Sequence, residues 1–155
     1  MSALAEFAPR LGQILGIEDL AVDETGTLDL VFEDTLAVQI LELVDSAELV
    51  FRANLGSVPD SSDRMKVYET LLQANYRWAV TAGGHLGLDL DSPTVELIRR
   101  QTTAGLQYEK FEDDLDDFVQ CANYWQTYLA GVPMEAETTI HTETVETNQI
   151  QGIPV

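Results

Sequence analysis

The 155-residue sequence is short of basic residues, cysteine and histidine. Eight Lys and Arg stand against 27 Asp and Glu, a net charge of −19. Phosphate backbones are held by clustered Lys and Arg, so nucleic acid is not expected as a partner, and an anionic membrane surface is disfavoured for the same reason. A single cysteine cannot close an internal disulfide, so the fold does not depend on an oxidising compartment. No apolar run exceeds four residues, far short of a membrane span. The first residues lack a basic stretch followed by an apolar one, so no signal peptide is expected. These absences describe a soluble, cytoplasmic protein.

Hydrophobic residues make up 45% of the chain, too many for disorder throughout. A chain of this length folds as one domain and buries roughly 70% of the surface it exposes when unfolded. Within 2–15, Leu4, Phe7, Ala8, Leu11, Ile14 and Leu15 fall on one helical face, with Ser2 placed to cap the start and Gly16 the end. Pro9 predicts a kink, or a helix that begins near Ala8. Residues 27–32, 36–43 and 48–55 read as three strands joined by short polar links, an antiparallel meander.

A loop at 56–62 supplies Ser61 and Ser62 as caps for a helix over 63–82, closed by Gly83-Gly84. Its apolar stripe is Met65, Tyr68, Leu71, Leu72, Asn75, Trp78 and Ala79. Strands at 86–90 and 94–102 follow, then a helix over 109–129 with Phe111, Leu115, Phe118, Val119, Ala122, Trp125 and Leu129 inward. The order α-β-β-β-α-β-β-α predicts an α+β domain over 1–131 with helices packed on an antiparallel sheet. Residues 132–155, rich in Thr, with four Glu and neither Lys nor Arg, read as a flexible acidic tail.

Little in the sequence suggests catalysis. His85 begins a strand after Gly83-Gly84, His141 lies in the tail, and neither joins a nucleophile or an HExxH or CxxC pattern. Cys121 sits among inward positions of the last helix and reads as a structural thiol. The acidic run 109–117 has neither the glycine nor the alternation of a calcium loop. It reads as the solvated start of a helix, where carboxylates favour the dipole. Asp89 and Asp91 alternate with leucines on a solvated strand face. No catalytic, cofactor or metal residues are assigned.

The order of elements, the size and the acidity together resemble the class I type III secretion chaperones, the family of small dimeric chaperones that includes the Tir chaperone. The likeness spans residues 2–130. It is carried by a first helix ending in Leu-Gly-Ile, the Leu-Asp-Leu-Val-Phe strand and its two partners, and a middle helix followed by Gly83-Gly84. The Leu-Gly-Leu-Asp-Leu-Asp strand and a last helix with Phe118, Ala122 and Trp125 complete it. Pro9 and the residues after Gly131 depart from the pattern.

The resemblance implies a bacterial cytoplasmic homodimer joined through the middle helix and the following strand, with Tyr68, Leu72, Tyr76, Trp78 and Leu88 as interface candidates. It also implies a partner, the N-terminal region of a secreted effector, held extended. Leu4, Phe7, Leu11, Val31 and Phe51 are the candidates for contacting it. The same residues also read as plain core. Two other functions stay open: a dimeric regulatory module with a folded cytoplasmic partner, and a small enzyme or metal binder using the acidic clusters.

Overall fold

The computed structural model describes residues 2–60 and 63–131. Helix α1 (Ala3–Leu15) leads into strands β1 (Thr27–Phe32), β2 (Leu36–Leu43) and β3 (Glu48–Ser57). Helix α2 (Arg64–Tyr76), strands β4 (His85–Asp89) and β5 (Thr94–Thr102), and helix α3 (Tyr108–Leu129) follow. The five strands form one sheet in the order β1-β2-β3-β5-β4, every pair antiparallel. The predicted α+β order and the meander are both present. The tail expected over 132–155 and the caps expected at Ser61 and Ser62 lie outside the described residues.

Side chains alternate across a strand, so one parity of each strand builds the core. Leu28, Ile40 and Phe51 stand side by side across β1, β2 and β3, as do Leu30, Val38, Ala53 and Leu97 across β1, β2, β3 and β5. All of these are buried beneath α1 and α3. Phe111 and Phe118 of α3 lie over Phe51, with ring centroids 6.1 and 5.6 Å away. Phe7 of α1 meets Phe111 at 5.1 Å, so the two helices share one aromatic seam. The opposite parity is polar: Asp29 accepts from Gln39 at 3.0 Å and Arg52 pairs with Glu96 at 2.7 Å.

Four expectations are corrected. Helix α1 runs unbroken through Pro9 from Ala3, with Ser2 as its cap and Gly16 left-handed at its end. Proline deprives the Ala5 carbonyl of its helical donor, but Ala5 and Pro9 both face solvent, where water can replace the bond. Helix α2 is shorter than its apolar spacing suggested, ending at Tyr76 before a 3₁₀ turn, Trp78–Thr81. Gly83-Gly84 therefore does not close that helix. A Cβ on Gly84 would stand 2.5 Å from the Ile98 carbonyl, so glycine there lets the chain pass close against β5. Strand β4 starts at His85 and stops at Asp89, leaving Leu90 82% exposed. Finally, the acidic start of α3 is not wholly solvated, because Asp114 is buried.

Candidate interaction surfaces

Two inward carboxylates fix the helices that shape these surfaces. Glu42 continues the core parity of Val38 and Ile40 on β2 and meets the start of α1. It accepts the backbone N–H groups of Ala3 and Leu4, each at 3.0 Å, and the Ser2 hydroxyl. Burial pushes the Glu42 carboxyl up, but the hydrogen bonds from Ser2, Leu4 and Ala3 outweigh it and hold it below the ordinary glutamate range.

Asp114 does the equivalent work for α3. Arg99 and Gln101 extend the core parity of Val95 and Leu97 along β5, and both reach Asp114 at 2.6 Å. Lys110, one turn earlier on α3, pairs with the same carboxylate from the solvent side. Burial raises the Asp114 carboxyl, and the bonds from Lys110 and Arg99 bring it below its ordinary value. Local acid-rich sequence gave no sign of this inward turn. The signal lay on β5, where Arg99 and Gln101 occupy core-facing positions that need a buried acceptor.

The first surface is formed by α2, the 3₁₀ turn and β4. Only Leu71 and Ala74 of α2 are buried. Asn75 anchors the helix to the sheet edge: its side chain accepts the Leu86 N–H at 2.7 Å and donates to the Leu86 carbonyl at 2.9 Å. This amide imitates a neighbouring strand and so covers part of the β4 edge. Anchored there, α2 presents its other apolar residues outward. Leu72 and Trp78 are each 69% exposed, Tyr76 is 89% exposed, Leu88 is partly exposed, and Tyr68 is half-buried. An exposed apolar face of this kind on an otherwise acidic chain is a candidate interaction site.

The second surface is a cleft of about 350 Å³ between the C-terminal half of α1 and the middle of α3, with Phe32 of β1 in its lining. Leu11 and Leu115 form its buried floor, Ile14 and Leu15 stand exposed beside it, and Glu112, Asp113 and Asp116 line its rim. Of the five residues considered for contacting a partner, Leu11 reaches this cleft. Leu4, Phe7 and Phe51 are buried in the core, and Val31 lies apart on the polar sheet face, exposed on edge strand β1. Sequence reasoning placed Ile14 and Leu15 on the inward face of the first helix and so missed them as surface features, since their periodicity equally fits burial. Glu112, Asp113 and Asp116 belong to the run already read as solvated, but their place beside an apolar floor was not foreseen.

Neither surface carries a catalytic constellation. Among the described residues, no group of three or more His, Cys, Asp and Glu is placed to hold a metal ion. His85 is exposed at the β4 edge. Burial pushes the Cys121 thiol up to about 11, which leaves it protonated and unreactive at neutral pH. No helix among the described residues is long and apolar enough to cross a membrane.

Residues 3–126 match the Tir chaperone protein (CesT) family. The transcriptional anti-antiactivator ExsC of Pseudomonas aeruginosa is 29% identical over 126 residues, covering 81% of this chain and 82% of ExsC. In the crystal structure of the ExsC–ExsE complex, a chain 24% identical superposes with a TM-score of 0.70, over 83% of this chain and 97% of that one. The HopA1–SchA chaperone–effector complex contains a chain of the same fold, 19% identical with a TM-score of 0.63, over 79% of this chain and 89% of that one.

Proposed function

Because the chain belongs to the Tir chaperone protein (CesT) family, we propose that it binds the N-terminal segment of a type III secreted effector as a homodimer and keeps it extended and soluble for export. The observation that carries this reading is the pair of apolar surfaces left open on a chain of net charge −19. The α2–β4 face, with Leu72, Tyr76, Trp78 and Leu88, and Tyr68 behind them, is taken as the dimer contact. The cleft between α1 and α3 is taken as a place where the client rests its apolar side chains. Strong negative charge keeps a chain with such surfaces from associating indiscriminately.

Binding of this kind needs no covalent chemistry and no cofactor. Main-chain pairing along a sheet edge tolerates sequence variation, and side-chain pockets supply selectivity. The bacterial cytoplasm, where export clients are made, is the corresponding compartment. A second reading is favoured by the relative described as a transcriptional anti-antiactivator. On that reading the dimer holds a folded regulatory protein and export is not its purpose.

One experiment separates these. The tagged chain is recovered from its own bacterium under native conditions, bound proteins are identified by mass spectrometry, and the bound region is mapped by limited proteolysis. The proposal expects a secreted protein protected only along its N-terminal segment. Recovery solely of a folded cytoplasmic protein, protected as a globular unit, would support the regulatory reading instead.

A further inference from the structure

We infer that the α1–α3 cleft selects segments in which an apolar side chain is flanked by lysine or arginine, and that Glu112, Asp113 and Asp116 make the selection. This rests on the segment-binding function proposed above and specifies the chemistry of the segment. The floor of the cleft, Leu11 and Leu115 with Ile14 and Leu15 beside them, takes an apolar side chain. At about 350 Å³ it lies at the small end of ligand-sized clefts, suited to a side chain or two rather than to a domain. Every charged residue on its rim is acidic.

Among the described residues, no ion pair compensates that rim. Six of the eight basic side chains are in ion pairs with carboxylates among the described residues, and none of those pairs involves Glu112, Asp113 or Asp116. Arg10, the basic residue of α1, is held one turn before the cleft by Glu109 at 3.0 Å and lies 3.9 Å over the Tyr108 ring. Among the described residues, the Asp116 side chain accepts only the Gln120 amide, at 2.7 Å. Glu112 and Asp116 stand four apart on one helix, a spacing at which like charges repel. A cation beside the incoming apolar side chain relieves that repulsion, whereas a carboxylate there adds to it. Selection against acidic flanks is therefore built in. The chain's own residues 132–155, with four Glu and no Lys or Arg, are the wrong charge to occupy the cleft.

Three short fluorescein-labelled peptides of leucine and alanine, carrying lysine, glutamine or glutamate between the apolar residues, provide the test by fluorescence anisotropy. The full chain is compared with E112Q/D113N/D116N and with E24Q/D45N/D91N, a variant of equal net charge whose altered carboxylates lie away from the cleft. The lysine peptide should bind the wild type and the remote variant alike. It should bind the cleft variant about tenfold more weakly, the effect of losing several exposed ion pairs. Equal losses in both variants would reduce the effect to bulk charge and overturn the inference, as would undiminished binding to the cleft variant or no preference for lysine over glutamate. The native segment recovered with the wild-type chain decides the proposed function separately, and that function stands if only the charge preference fails.

Discussion

The Glu42 carboxylate accepts the backbone N–H of Leu4 at 3.0 Å, so a side chain of a central strand forms part of the cap of the N-terminal helix. The first turn of a helix has no partners of its own for these amides, and a buried anion there also favours the dipole. The C-terminal half of that helix forms one wall of the cleft. Its position consequently depends on a residue on the far side of the core layer.

Replacing Glu42 with alanine should cost roughly 2 kcal/mol, because the Ala3 and Leu4 amides lose their acceptor in a part-buried site. Thermal unfolding should show Tm lowered by roughly 8 °C. Glu42→Gln keeps one acceptor oxygen and should fall between the two. An unchanged Tm for E42A would mean that the contact adds nothing to stability.

Acid sensitivity follows from the same residue and from Asp114. Both carboxyls titrate below their ordinary values in the folded chain, so folding favours their ionised forms. The stability they add is complete above the unfolded carboxyl range of about 4, falls as the pH drops through that range, and is lost below their folded values. Urea unfolding between about pH 6 and pH 3 should therefore show a shallower decline for E42Q/D114N than for wild type, from a lower starting stability. Parallel curves would rule this linkage out.

Asp114→Ala strands Arg99, whose side chain is only 15% exposed, and should cost about 3–5 kcal/mol. Lys110 is 62% exposed, so K110A should cost less than about 1 kcal/mol. Replacing the buried part of the cluster, as in R99L/Q101L/D114L, should recover much of the loss, since it leaves no buried charge unpaired and Lys110 stays in solvent. Chemical denaturation of the three variants checks the order.

Much of this architecture was legible in the sequence, for a definable reason. The strands and the outer helices bury one face within the chain itself, and their periodicity therefore reports real burial: Leu28 and Leu30, or Phe111, Leu115 and Phe118, point where their spacing says. Leu72 and Tyr76 of the middle helix, and Trp78 just after it, hold plausible core positions, but the described residues do not bury them. Periodicity cannot say which molecule covers an apolar residue. Asn75, placed in the apolar stripe, instead reaches sideways to Leu86 near the helix end, a contact eleven residues away with no local signature. Glu42 and Asp114 were missed because each acid looks solvated in its own segment. Polar residues on core parity, Glu42 after Ile40 and Arg99 with Gln101 after Leu97, were the available clue.

The exposed α2 face gives a further expectation. In the proposed dimer, Leu72→Glu and Trp78→Glu each place a charge in the contact between copies and should yield a monomer in sedimentation velocity. Circular dichroism should stay unchanged, because both side chains are 69% exposed in the single chain. Dimers that persist in both variants would place the contact elsewhere.

The central claim is that a pair of copies of this chain holds an extended client segment. Native mass spectrometry of the chain co-expressed with only the N-terminal segment of its client tests it most directly. The account predicts a complex of two copies of the chain with the segment, formed without the rest of the client. A single copy of the chain in the complex, or a complex that forms only when the client's folded domain is present, would contradict it.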